Sequence, residues 1–183
     1  MISEFLKTNT AHFHNSAEQL FNSNKIFNKT FTVEDYQKLI YHNYQMILHS
    51  ENEIFNLLSE NFSEKLQLNN RRKLQLIEKD FLSLGLVSNN DNTELNLNNM
   101  YEALGALYVI EGSTLGGNVM TKHLIKTEGF EQLSFHFFGC YQEQTGSMWK
   151  NFKDILDSEV EPSHYEEVLS GAQKLYSFLL NVK

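Results

Sequence analysis

Three glycines, Gly112, Gly116 and Gly117, stand in the middle of the stretch YEALGALYVIEGSTLGGNVMTKHLIKT, Tyr101 to Thr127. Around them Leu104, Leu107, Leu115, Val119 and Leu124 fall near helical spacing, which predicts one amphipathic helix. In a helix interior each glycine costs roughly 1 kcal/mol relative to alanine, so local stability does not account for three of them. Two physical uses remain: a bend, or a close approach of backbone to a flat partner that a Cβ would block. A transmembrane pairing motif is set aside by Glu111, Thr114, Asn118 and the lysines. The expectation is a bent helix with a bare backbone face, against which a plate-like ligand lies.

The remainder of the 183 residues reads as helix almost throughout, with one proline and nine glycines to interrupt it, so an all-α bundle forming a single domain over residues 1–183 is predicted. A first helix is expected from Met1 to about Asn22. A second starts at Thr32, a good N-cap followed by Glu34 and Asp35, and carries the stripe Val33, Tyr36, Ile40, Tyr44, Ile47, Ile54 and Leu58. A third runs from Leu66 to Leu84 and is stopped by Gly85. Ser88 to Asn99 is Asn-rich and polar, hence a loop. Gly129 to Gly139 forms an irregular crossover, and two closing helices span Gln142–Leu156 and Ser163–Val182. The net charge of −8 argues against nucleic acid as a partner. A single cysteine, Cys140, fits a reducing compartment, and neither a signal peptide nor a membrane-crossing run is evident, so a soluble cytoplasmic protein is expected.

On the first helix Lys7, Thr10, His14, Ala17, Glu18 and Phe21 share one broad face by their spacing. Glu18, one turn beyond His14, is placed to hold the imidazole Nδ1–H and leave Nε2 free, the arrangement a metal-binding histidine needs. On spacing alone the plainer reading is a half-buried histidine in an i,i+4 pair with its glutamate. His42, His49 and Glu53 share a stripe on the second helix and form an alternative metal set. The one Glu-x-x-His pair, Glu161 to His164, sits at a helix start where Pro162 is expected anyway. His12, His123 and His136 have no recommending spacing. Cys140 has no positive cluster around it in sequence, which favours a buried structural thiol over a nucleophile. No phosphate-binding loop, nucleophile elbow or dinucleotide fingerprint occurs.

Taken together, Leu6-Lys7-x-x-Thr10-x-x-x-His14-x-x-Ala17-Glu18 resembles the proximal-helix pattern of the heme oxygenase family, and Gly105-Ala-Leu-Tyr-Val-Ile-Glu-Gly-Ser-Thr-Leu-Gly-Gly117 resembles its distal helix. Leu76-Ile-x-x-Asp80-x-x-x-Leu84-Gly85 and Phe137-Phe138-Gly-x-Tyr141-x-x-x-Thr145-Gly146-x-x-Trp149-x-x-Phe152 agree. The last is similar to the soluble bacterial, biliverdin-producing branch in particular. Each motif is short; their occurrence in the family's order carries the resemblance, which reverses the plainer reading of His14.

The resemblance implies a b-type heme, both cofactor and substrate, sandwiched between the proximal and the glycine-bent distal helix. His14 would be the axial metal ligand, tuned by Glu18, and Lys7 would pair with a propionate. Tyr108, Gly112, Ser113, Gly116 and Gly117 would complete the heme-binding set, with Gly112 and Ser113 nearest the chemistry. Animal members place an aspartate where Ser113 stands; a hydroxyl orders water without supplying the carboxylate's charge. Lys150, Lys153 and Lys174 are candidates for a second propionate contact. The implied reaction takes heme, O₂ and electrons to biliverdin, Fe²⁺ and CO. The electrons come from a separate ferredoxin or flavodoxin, docked on a local basic patch that includes Lys122 and Lys126. The hydrophobic C-terminal anchor of animal members is not evident. Rival readings are a heme carrier or sensor that does not turn over, a same-fold dinuclear-metal oxidase using His42, His49 and Glu53, and a thiaminase-like enzyme using Cys140.

Overall fold

Helix α6 (Met100–Leu124) is the element on which the others are laid: α8 (Tyr165–Leu180) crosses it most intimately, and α7 (Thr145–Glu159) and α3 (Val33–Leu57) pack along it. The computed structural model describes residues 1–88 and 95–182. The remaining helices are α1 (Ile2–Leu20), α2 (Asn24–Phe27), α4 (Glu60–Leu66) and α5 (Leu74–Ser83), with short 3₁₀ turns at Leu68–Arg71, Gln142–Gln144 and Pro162–His164. Among the described residues there is no strand, and no helix is long and apolar enough to cross a membrane.

Local chemistry sets several boundaries where the sequence places them. Thr32 caps α3 reciprocally: its Oγ1 accepts from the Asp35 N–H while the Asp35 carboxylate accepts from the Thr32 N–H. Gly85, in the left-handed region at φ +67°, ends α5 and lets the Leu86 N–H reach back to the Phe81 carbonyl. Residues 129–139 form turns without a regular helix. Asp80 of α5 holds that crossover, accepting from the backbone N–H groups of His136 (2.9 Å) and Phe137 (2.8 Å).

The third predicted helix is corrected. In place of one helix over Leu66–Leu84, α4 ends at Leu66, Gln67 takes a left-handed backbone (φ 51°), and α5 begins only at Leu74. The break has a physical cause: Glu51 of α3 accepts from the backbone N–H groups of Lys73 and Leu74, and so caps α5 from outside it. Leu66, Leu68, Ile77 and Phe81 still face the core on either side of the break. In the predicted 88–99 loop, residues 89–94 lie outside the described residues, and Leu95 and Leu97 are buried. Helix α6 is assigned as unbroken α-helix straight through Gly112, Gly116 and Gly117.

Candidate functional site

Helix α1 is fixed at its start and open toward its end. The Ser3 N–H and hydroxyl both donate to Asp157 of α7, at 2.8 and 2.7 Å, and Ile2, Leu6 and Thr10 turn inward. The face expected to hold six residues together is thereby divided. Thr10 and Phe21 are buried, with the Thr10 hydroxyl donating to the Leu6 carbonyl, while Lys7, His14 and Glu18 stay on the exposed edge. His14 and Glu18 are 61% and 57% exposed, with Nδ1 3.7 Å from the carboxylate oxygen. That separation is an electrostatic contact, longer than a hydrogen bond.

On α6 the three glycines have three different surroundings. A Cβ on Gly116 would meet nothing within 4 Å, so this backbone faces open space. One on Gly112 would lie 3.5 Å from the Trp149 ring, an ordinary contact. One on Gly117 would fall 2.1 Å from the Phe138 ring, so here the missing side chain makes room for the chain's own phenylalanine. Leu115 and Val119 lie exposed beside Gly116 and extend an apolar face along the helix. Ser113 is half-buried, its hydroxyl donating to the Ile110 carbonyl at 2.7 Å. The hydroxyl's hydrogen is thereby occupied and its oxygen remains an acceptor.

Helices α1 and α6 are joined through α8. Tyr176 of α8 stacks on Phe13 of α1, ring centroids 5.7 Å apart. Burial raises its phenol pKa well above the ordinary value, with Tyr108 of α6 and Glu18 of α1 adding to the rise. Tyr108 is itself buried and packs at 5.2 Å on Trp149; burial, with the nearby Glu4 charge, pushes its phenol up to about 12. Both phenols therefore stay protonated at neutral pH. Tyr176 thus ties α8 to Phe13 of α1, and Tyr108 stands beside Trp149 at the Gly112 end of α6.

The three lysines proposed for an acidic ligand edge are separated by their partners. Lys174 donates to Glu102 (2.7 Å) and to the Asn96 carbonyl (2.9 Å). Lys150 pairs with Asp154 one turn on. Lys153 lies 5.5 Å from the centroid of Trp149, the residue that borders Gly112. Sequence spacing alone does not mark Trp149 and Tyr176 as site residues. Trp149 had a motif to mark it, whereas Tyr176 looked like any apolar-stripe position.

Other candidates do not assemble. His42 is buried with Nδ1 2.9 Å from the Leu179 carbonyl, Glu53 accepts from the Leu97 N–H at 2.6 Å, and the His49 ring rests 5.8 Å from Phe178. Among the described residues no three His, Cys, Asp or Glu side chains gather as a metal-binding group. Burial pushes the Cys140 thiol up, the reverse of what an activated thiolate needs.

Among known proteins, the heme oxygenase family matches this chain over residues 1–183. A heme oxygenase of Xanthomonas campestris pv. campestris (strain 8004) is 31% identical over 74 residues, a match that covers 40% of this chain and 44% of that relative's own length.

Proposed function

The chain belongs to the heme oxygenase family, and from that premise we propose that residues 1–183 form one domain that binds b-type heme and opens it with O₂ and electrons, giving biliverdin, Fe²⁺ and CO. What supports this reading is an exposed His14–Glu18 edge on α1 and an α6 face where Gly116 meets nothing within 4 Å; in this proposal they form the two walls of a heme cleft. Bound heme would supply both the iron that takes up O₂ and the ring that is cleaved.

The protein's own residues do the rest. His14 would hold the iron through Nε2, with Glu18 beside its Nδ1. Gly116 lets the ring approach α6 to backbone distance, with Leu115 and Val119 as apolar cover. Lys7, exposed on α1, and Lys153, beside Trp149, would pair with propionates, and Tyr108, packed on Trp149, would line the ring's apolar edge. Ser113, with its hydrogen committed to Ile110, orders water as an acceptor, so protons reach the cleft through water. Gly112 keeps this part of the helix clear of any side chain of its own, and Gly117 admits Phe138, which seats α6 on the 130–139 crossover. Electrons come from a separate ferredoxin or flavodoxin. The setting is cytoplasmic, in keeping with the single cysteine.

The test is an absorbance titration of the purified chain with hemin, alongside His14→Ala, followed by ascorbate or a ferredoxin system under air. A His14-dependent Soret band saturating at one heme and then decaying into a red biliverdin absorbance is expected. A Soret band that survives reductant would make the protein a heme carrier or sensor, and absence of saturable binding would overturn the reading.

A further inference from the structure

Next to Gly112 and Trp149 lies a cluster of ionised side chains that the proposed chemistry does not use. Arg71, Lys73 and Glu111 are each at most 1% exposed. Arg71 pairs with the Glu111 carboxylate and also donates to the Leu66 carbonyl (2.6 Å), the Met148 carbonyl (3.3 Å) and Asn151 Oδ1 (3.1 Å). Lys73 Nζ reaches Glu111 Oε1 (2.9 Å), the Arg71 carbonyl (2.9 Å) and the Tyr141 hydroxyl (2.7 Å), and that hydroxyl donates in turn to Glu111 at 2.9 Å. An ammonium has three hydrogens and here finds three acceptors, so the geometry suits charged Lys73. Two cations therefore face one carboxylate. Glu51, the nearest further acid, is occupied by the backbone of Lys73 and Leu74 and lies 3.7 Å from the half-exposed Arg72, a pair of its own.

An unbalanced buried charge is a poor device for stability, since apolar replacements of buried ion pairs are often as stable or more so. It is an effective device for setting a local potential, because a charge away from water is weakly screened. Its position is telling: Glu111 immediately precedes Gly112, and Met148 and Asn151, both bonded to Arg71, flank Trp149, whose ring abuts Gly112. We propose that Arg71, Lys73 and Glu111 form a fixed electrostatic element whose excess positive charge, acting through α6, favours reduction of bound heme and the binding of anions to it. None of the three touches the ligand; they act through the field. The inference rests on the reading of the cleft as a heme site.

Charge variants of opposite sign test it on the full-length, hemin-loaded protein. Lys73→Met removes the excess charge, Glu111→Gln doubles it, and Tyr141→Phe alters the hydrogen bonding while leaving the charge alone. The readouts are the midpoint potential of the bound heme and the affinity of the ferric form for azide. Lys73→Met should weaken azide binding about threefold and lower the potential by the same factor, ~28 mV at ~59 mV per decade for one electron. Glu111→Gln should shift both the other way, and Tyr141→Phe should shift neither. Glu111→Gln carries the test by itself should Lys73→Met fail to fold. Unchanged values in variants that retain the Soret band, or shifts of one sign in both charge variants, would overturn the electrostatic role. Failure of the wild-type chain to bind hemin would instead overturn the heme reading beneath it.

Discussion

The carbonyl oxygen of Val168 stands 1.8 Å from the point that a Cβ on Gly105 would occupy. The relationship is reciprocal across the helix pair, for a Cβ on Gly171 of α8 would stand 1.9 Å from the Glu102 carbonyl oxygen of α6. Both obstacles are backbone, which cannot rotate aside. Gly105→Ala or Gly171→Ala should therefore part α6 from α8 and cost at least ~2 kcal/mol, despite alanine's advantage of ~1 kcal/mol in a helix. For a chain of this size that is a fall in Tm of about 4–8 °C, read by thermal denaturation. An unchanged Tm in both variants would mean the helices do not meet backbone to backbone.

Gly116 gives the opposite expectation. Nothing approaches it, so Gly116→Ala should leave the fold intact or firmer by up to ~1 kcal/mol. The new methyl would project into the cleft, and hemin affinity should drop about tenfold or more in an absorbance titration. Equal affinity in a stable variant would remove this face from the binding surface.

These two glycines show how far the sequence can be read. The glycine run marked α6 as unusual, and Thr32 and Gly85 declared their helix ends, because capping depends on a residue and its immediate neighbours. Gly116 and Gly117 are the same letter side by side. Only long-range packing, which brings Phe138 to one and leaves the other bare, tells them apart. Nothing local marks Arg71 and Lys73 as buried ions, because their partner Glu111 lies about forty residues away in sequence. Phe13 and Tyr176 likewise stack only once α1 and α8 have packed.

His42 should make stability depend on pH. It is buried, and that burial, reinforced by the charge of Lys38, holds its pKa below the ordinary 6.5 against the opposing bond to Leu179. The unfolded chain takes up this proton near pH 6.5, and the folded protein only at lower pH. In between, the unfolded state binds more protons, so stability is full above about pH 6.5 and is lost as pH falls, at up to ~1.4 kcal/mol per unit. Urea denaturation at pH values on either side of this window should show a smaller loss for His42→Asn than for the wild type; parallel losses would remove His42 as the source.

Lys153 and Lys174 should separate cleanly. Lys153 borders Trp149 and the cleft, so Lys153→Ala should weaken hemin binding about tenfold with little effect on Tm. Lys174 is bonded to Glu102, and Lys174→Ala should cost about 1 kcal/mol of stability while hemin affinity stays as it was. The reverse pattern would move the propionate contact to α8.

The proposed electron donor would land on a patch at the C-terminal end of α6. The Phe27 ring meets His123 edge-on at 5.3 Å, and Phe27 and Ile125 are 64% and 61% exposed, beside the exposed Lys122 and Lys126. An apolar centre with basic neighbours suits an acidic one-electron donor, even though the whole chain carries −8 and repels such a partner at long range. Charge on this patch governs encounter more than chemistry, so Lys122→Glu with Lys126→Glu should slow ferredoxin-driven turnover severalfold. The effect should shrink as salt is raised, while hemin affinity and ascorbate-driven turnover remain unchanged. Unaltered ferredoxin-driven turnover at low salt would place the donor elsewhere on the surface.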